Sequence, residues 1–196
     1  THLLHHTHAN GERDPDVLNS AGTPIQIFGR VVAGATLYPL MPFIQIFPPL
    51  ARVIPPAIRE RFAERDRIRG PEVAKASRWI AIVHVTVLIA GTAAGFGTVV
   101  WLLWYVPAWI GRFWLSLVFG WLPHHPHEET GRYRDTRIFT FVGSTLLIRG
   151  HDYHLLHHLF PRVPHYKLRL LWKSLGKHLD AQGARIEGRA ATLISN

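Results

Sequence analysis

Two segments of the sequence share the pattern H-x-x-H-H, and both read HLLHH. Each contains three histidines, which are His2, His5 and His6 in the first segment and His154, His157 and His158 in the second. We call them the N-terminal box (2–6) and the C-terminal box (154–158). Residues at i, i+3 and i+4 lie on one side of a helix, so each box is expected to direct three imidazoles toward a common point.

The rest of the composition limits how a metal ion could be held. The chain has 14 histidines and no cysteine, which excludes thiolate ligands and a disulfide framework. Neutral imidazole binds iron, copper, nickel or zinc, and histidine sites with open positions are compatible with oxygen chemistry at non-haem iron. Six or more imidazoles exceed the needs of one ion, so the sequence predicts two metal ions.

A third source of ligands lies between the boxes, in the sequence PHHPHE at 123–128. We call it the intermediate histidine segment. His124 and His127 are its candidate ligands, and the alternative is a turn at a membrane interface. Metal-bound histidines usually donate their second ring N–H to a carboxylate or a carbonyl. The candidate carboxylates near the three segments are Asp14, Asp16, Glu128, Asp135 and Asp152.

Composition and charge indicate a membrane protein. The chain combines 47% hydrophobic residues with a net charge of +9 over 196 residues. A membrane protein accommodates both properties by placing apolar residues in lipid and basic residues at anionic headgroups. The basic residues lie beside apolar stretches and do not form a separate basic domain, which argues against nucleic acid as a partner.

The apolar stretches predict the path of the chain through the membrane. Residues 79–122 are long enough for two helical spans, so we expect a transmembrane hairpin with its turn at either Gly95–Gly97 or Trp104–Pro107. Residues 23–57 are also apolar but contain several prolines, and we interpret them as a re-entrant or interfacial segment. A full span there would instead place the N-terminal box on the opposite side from the other histidines.

Charged segments flank this hairpin. We expect a basic cytoplasmic loop at 58–78 that contains a surface helix ended by Gly70 and Pro71. In the tail, 166–196, apolar and basic residues alternate at helical spacing, which predicts an amphipathic helix on the membrane surface. The basic loop and tail place the histidines on the cytoplasmic side by the positive-inside rule.

The predicted fold is therefore an all-α membrane protein with one domain, 1–196, and a cytoplasmic histidine-rich metal site. Its predicted parts are the N-terminal box and loop (1–22), the re-entrant segment (23–57), the basic loop (58–78), the hairpin (79–122), the intermediate segment with the C-terminal box (123–165) and the tail (166–196).

Three stretches resemble the integral-membrane fatty acid desaturase superfamily, which includes carotenoid hydroxylases. They are HLLHHTHANGERDPD, PHHPHEETGRYRDTR and GHDYHLLHHLFPRVPHYKL, and they are similar to the second histidine box, the intermediate region and the third box of that family. The resemblance covers nearly the whole chain, and HHLFP followed by PHY is its most specific part.

The resemblance implies a centre of two non-haem irons that uses O2 and electrons from a ferredoxin- or cytochrome-type donor. It assigns all six box histidines as ligands and adds one intermediate histidine, for which His127 fits best by its spacing and His124 is the alternative. A fatty acyl lipid is the first choice of substrate and a carotenoid the second. The resemblance is compatible with desaturation, with hydroxylation and with ketone formation.

The resemblance also implies a missing part. The family's first box, H-x-x-x-H, lies upstream of the second, so we expect the chain to be a C-terminal fragment that alone binds iron incompletely and is inactive. A hypothesis from another class is a non-catalytic, histidine-rich membrane protein that binds or transports transition metals.

Overall fold

The computed structural model describes residues 2–44 and 48–194 and is predominantly helical. The chain divides into two compact units. One unit comprises Thr23–Trp114, and the other comprises His2–Gly22 together with Leu115–Asn196. The boundary after Trp114 falls within a long helix, Gly97–His124.

In the first unit, the helices are Pro24–Thr36, Pro56–Arg69, Pro71–Ala93 and the beginning of the long helix, with 3₁₀ turns at Tyr38–Phe43 and Pro48–Arg52. Thr23 begins the first of these helices with a reciprocal cap, because its side chain accepts from the Gln26 N–H and the Gln26 side chain accepts from the Thr23 N–H. The predicted surface helix is confirmed as Pro56–Arg69, and it ends at Gly70 with φ of 84°. The re-entrant path of 23–57 stays a prediction, and residues 45–47 of that segment lie outside the described residues.

Two helices form the predicted hairpin. Pro71–Ala93 and Gly97–His124 are long and apolar enough to cross a membrane, by length and composition, and little of either is buried inside the protein. The turn lies at the first of the two predicted positions, where Gly95 adopts φ of 83°. The alternative position, 104–107, lies inside the long helix and overlaps a π-helical segment, Trp101–Tyr105.

The second unit contains the helices His2–His8, Val17–Ser20, Ser144–Leu147, His154–Leu159, His165–Ala181 and Arg189–Ile194, with a 3₁₀ turn at His151–Tyr153. It also contains two parallel strands, Arg137–Thr140 and Arg185–Gly188, in which Ile138 faces Ile186. The all-α prediction therefore holds for the predominant structure and misses this small sheet. Four-residue strands give too short an alternation to be recognised in a sequence.

The tail helix is confirmed as His165–Ala181, but its apolar face does not contact the membrane. Leu168, Trp172 and Leu179 are buried against Leu155 and Leu156 of the C-terminal box. The interpretation of this face as membrane-bound is wrong, because protein already covers it. The tail helix is therefore the support on which the C-terminal box rests.

Substitutions on the two sides of this helix should differ in their effect on stability. Leu168 is 1% exposed, so Leu168→Ala is expected to lower the free energy of unfolding by about 2–5 kcal/mol. Leu170 is 62% exposed, and Leu170→Ala should change it by roughly 0.5 kcal/mol or less. Thermal unfolding of the two purified variants in detergent would measure the difference, and equal midpoints would contradict this packing.

Candidate metal centre

Seven histidines of the second unit form two groups whose ring nitrogens converge. The four-histidine group consists of His5, His124, His154 and His158, and the three-histidine group consists of His2, His6 and His157. Within each group, one ring nitrogen from every histidine lies within 4.8 Å of the others. The groups adjoin, since the rings of His6 and His158 stack with centroids 4.2 Å apart.

Each box divides its histidines between the two groups. His2 and His6 belong to the three-histidine group, whereas His5 of the same box belongs to the four-histidine group. Successive helical residues are about 100° apart, so the i+4 side chain lies about 40° to one side of i and the i+3 side chain about 60° to the other side. The expectation that all three histidines of a box meet at one point is wrong for this reason.

The C-terminal box is divided in the same way, but its i and i+4 histidines belong to the other group. His154 and His158 join the four-histidine group, and His157 joins the three-histidine group. The i and i+4 histidines of each box therefore meet the i+3 histidine of the other box. Two boxes facing each other in this way create two metal-sized sites side by side.

The facing nitrogens are those that a metal would require. The Nε2 atoms of His124 and His154 are 3.2 Å apart, and the Nε2 atom of His2 lies 3.1 Å from that of His157. The Nε2 atom of His158 is buried and has no hydrogen-bond partner. A neutral imidazole with an inward lone pair is an acceptor, and several such acceptors at these distances are satisfied together by a cation. The donor set therefore fits transition-metal ions.

Two of the predicted carboxylates contact the Nδ1 atom of a box histidine. The buried Asp14 Oδ1 accepts from His5 Nδ1 at 2.8 Å, and Asp135 Oδ2 lies 3.4 Å from His158 Nδ1. A proton on Nδ1 leaves Nε2 unprotonated and free to bind a metal. Both contacts thus orient a ring toward the four-histidine group.

The other three predicted carboxylates have different surroundings. Asp16 Oδ2 is 3.9 Å from His5 Nδ1, and Glu128 is exposed. The buried Asp152 accepts from the hydroxyls of Ser144 and Thr145, at 2.7 and 2.9 Å. Its role is therefore to anchor the turn that precedes the C-terminal box.

Asn10 connects the histidine segments, and the sequence reasoning did not select it. Its Oδ1 atom accepts from His124 Nδ1 at 3.2 Å, and its Nδ2 group donates to the carbonyls of Glu129 and Asp135 at 2.7 and 2.6 Å. Its backbone N–H donates to Asp14 Oδ2 at 2.9 Å. Asn10 adopts a left-handed φ of 63°, and the pair Asn-Gly at 10–11 is the turn signal that could have marked it.

The structure places the two intermediate histidines differently. His124 is the last residue of the long helix, is 1% exposed and belongs to the four-histidine group. His127 lies outside both groups, and its Nε2 atom is 3.1 Å from Ser20 Oγ. The end of the long helix is fixed by a close approach, since a Cβ on Gly120 would lie 2.7 Å from the Cβ of Ser20.

Burial determines the protonation of most box histidines. It lowers the pKa of His154 far below the ordinary value, and the positive charge of His158 contributes. Burial, followed by the charges of His158 and other neighbouring histidines, lowers the pKa of His6 to about 3 and that of His157 to about 4. For His5, burial acts in the same direction but is outweighed by the Asp14 hydrogen bond and nearby carboxylates, so its pKa is raised.

These shifts predict how the bound metal responds to acid. Free imidazole takes up a proton near pH 6.5 and then cannot bind a metal. Because the lowered pKa values keep His6 and His157 neutral to about pH 3 and 4, we expect the metal of the three-histidine group to be retained at pH 5 and lost around pH 4. The raised pKa of His5 should make the four-histidine group lose its metal at a higher pH. Elemental analysis after dialysis at a series of pH values would test this, and loss of all metal in one step near pH 6.5 would contradict it.

A cleft reaches the centre from solvent. It has a volume of about 710 Å³, and His6 and His158 form part of its wall. Several charged side chains, including Glu12, Arg13 and Arg132, also line it. A polar molecule or protein surface can therefore approach both histidine groups from this side.

Comparison with known proteins identifies the family. The sequence model of the fatty acid desaturase family matches residues 1–189, and the chain belongs to this family. The resemblance drawn from the three histidine stretches is thereby confirmed, and with it a membrane protein of lipid metabolism.

Among curated relatives, the chloroplastic omega-3 fatty acid desaturase of Brassica napus is 32% identical over 78 residues, which cover 34% of this chain and 19% of the relative. The chloroplastic sn-2 acyl-lipid omega-3 desaturase (ferredoxin) of Arabidopsis thaliana is 32% identical over 78 residues, covering 34% of this chain and 17% of the relative. The chain thus spans less than a fifth of the length of these relatives. No solved structure matches it significantly.

Proposed function

We propose that this chain carries most of the di-iron centre of a membrane-bound, O2-dependent fatty acid desaturase. The observation that carries the proposal is the pair of adjoining histidine groups, formed by the i and i+4 histidines of each box with the i+3 histidine of the other. A single structural metal would need one such group. Two groups side by side are what a two-metal reaction needs.

One iron would be held by the four-histidine group and the other by the three-histidine group. We take His124, and not His127, as the intermediate ligand, because its Nε2 atom lies 3.2 Å from that of His154. Bound iron would activate O2, which is the oxidant that, with electrons from the donor, removes hydrogen from an unactivated C–H bond of a lipid chain.

The protein residues would orient the ligands and control access. Asp14 and Asp135 hold Nδ1 protons on His5 and His158 and so keep their Nε2 lone pairs directed at the metal. His5, His124 and His154 are buried, which excludes water from one site, whereas His2 of the other group is exposed.

The proposed partners follow from the surroundings of the centre. The substrate would be a fatty acyl lipid within the membrane, a class that the names of the two relatives also contain. Electrons would come from a ferredoxin- or cytochrome-type protein, for which the charged cleft at Arg13 and Arg132 offers an approach to His6 and His158. Two spans between the boxes would return the chain to its starting side, and the Arg-rich helix Pro56–Arg69 supports a cytoplasmic position for that side by the positive-inside rule.

Lipid analysis of cells tests the proposal. The complete reading frame that contains this chain would be expressed in a host with a defined membrane, beside a His154→Ala variant as the control. Gas chromatography and mass spectrometry of the fatty acids should show a new double bond only with the unaltered protein, and two irons per chain should be present. A new hydroxyl or ketone, in a fatty acid or a carotenoid, would show that the enzyme is a hydroxylase or a ketolase and not a desaturase. Exchangeable zinc or nickel without any product would favour the non-catalytic metal-binding protein.

A further inference from the structure

An exposed apolar segment lies between the first strand and the C-terminal box. Val142, Leu146 and Leu147 are 78%, 77% and 53% exposed, although they belong to the unit that holds the histidine groups and to neither candidate span. We call residues 141–148 the apolar loop. Single exposed leucines are common on protein surfaces. Three large apolar side chains within six residues form a patch of the kind that marks an interaction surface.

The other side of the apolar loop is fixed to the protein. The hydroxyls of Ser144 and Thr145 donate to Asp152 Oδ2 at 2.7 and 2.9 Å, and Ile148 is only 3% exposed. These contacts hold the short helix Ser144–Leu147 in one orientation, with its two leucines directed away from the protein. The exposure of the leucines is therefore a built feature of the loop.

Both ends of the apolar loop are attached to the last two turns of the helix Gly97–His124. Before the loop, the Nε group of Arg137 donates to the carbonyl of Leu122 at 2.7 Å. After the loop, the ring of His151 packs on the ring of Phe119, with centroids 4.1 Å apart. The apolar loop therefore starts and ends at one level of the long helix.

The length of the long helix indicates what surrounds this level. Its 28 residues extend over about 42 Å at 1.5 Å per residue, and a bilayer with its headgroup regions is about 40–45 Å thick. A helix that crosses the membrane over this length has its last two turns among the headgroups. Apolar side chains placed there reach the acyl chains, and the exposed Arg149 at the end of the loop would meet anionic headgroups.

A lipid surface fits this patch better than a protein does. A stable protein interface uses roughly 20–30 residues on each side, and the apolar loop offers only three exposed apolar side chains. A bilayer requires no complementary shape, and the apolar face of the tail helix, which could have served the same purpose, is covered by protein. We propose that Val142, Leu146 and Leu147 insert into the membrane and hold the unit with the histidine groups at the surface where the long helix ends.

Fluorescence quenching of the complete protein in a phospholipid bilayer tests the proposal. This chain contains no cysteine, so Leu146→Cys provides one site for a thiol-reactive fluorophore within it, and any cysteine elsewhere in the reading frame would be replaced by serine. Leu170→Cys is the matched control, because Leu170 is a leucine of the same unit that is 62% exposed. Brominated phosphatidylcholine quenches a label among the acyl chains, and iodide quenches a label in water.

Brominated lipid should quench the label at position 146 several-fold more strongly than the label at position 170, and iodide should show the reverse order. A second label, in Val142→Cys, should behave like the label at 146. Equal quenching at 146 and 170 would overturn the proposal. A label at 146 that neither reagent reaches would also overturn it, because protein, such as a second copy of the chain, would then cover the loop. The measurement requires neither bound metal nor turnover, so its outcome is separate from that of the fatty acid analysis.

Discussion

His124→Ala is expected to remove one metal ion and abolish turnover, whereas His127→Ala keeps both ions and most of the activity. The two residues lie three positions apart in one histidine-rich segment. Only His124 directs a ring nitrogen at the other ligands, with its Nε2 atom 3.2 Å from His154 Nε2. Its replacement leaves the four-histidine group with three imidazoles around a buried position that water cannot easily complete.

Iron analysis and product formation would measure this difference in the full-length enzyme. Iron should fall from about two atoms to about one per chain in His124→Ala, since a centre that needs two metals loses its chemistry with either. His127→Ala is a closely matched control, because its Nε2 contact is to Ser20 and not to another histidine. Loss of iron in His127→Ala with retention in His124→Ala would reverse the assignment.

Asn10→Gly is expected to weaken metal binding about 10- to 100-fold without unfolding the protein, the size of effect typical of residues that orient metal ligands. Glycine adopts the left-handed φ of 63° at this position easily, so the backbone turn survives. What is lost is the side chain that accepts from His124 and donates to the carbonyls of Glu129 and Asp135. The side chain at position 10 would then no longer fix the orientation and tautomer of the His124 ring.

A metal-competition titration with a chromophoric chelator would give the affinity, and thermal unfolding of the metal-free protein would report any structural loss. Asn10→Asp is a useful companion, because it can accept from His124 but cannot donate to the two carbonyls. We expect it to retain part of the affinity. Metal binding of Asn10→Gly equal to that of the unaltered protein would show that Asn10 does not position the centre.

Local patterns were sufficient for much of the structure. The spacing of the boxes and the surface helix ended by Gly70 were readable, because each depends on residues within one or two helical turns. The turn of the hairpin was narrowed to two positions, and the structure selects the one at Gly95. The absence of cysteine limited the ligands to imidazole and carboxylate before any geometry was known. Family membership followed from the same short motifs.

The same periodicity could not say what covers an apolar face. Leu168, Trp172 and Leu179 have the spacing of an amphipathic helix, which is equally suited to a membrane surface and to a protein core. Their burial under the C-terminal box was decided by residues far away in sequence. The strand at Arg185–Gly188 likewise exists because Arg137–Thr140 is there to pair with it.

For the histidines, sequence by itself determined that there are two boxes and that each offers three imidazoles, and metal binding was predicted from these donors. Tertiary structure decided that each box serves both sites, that His124 joins them and His127 does not, and that Asn10 ties the segments together. The reason is physical: the directions of side chains along a helix are set by its own 3.6-residue turn, whereas the partners they meet are set by how the helices pack.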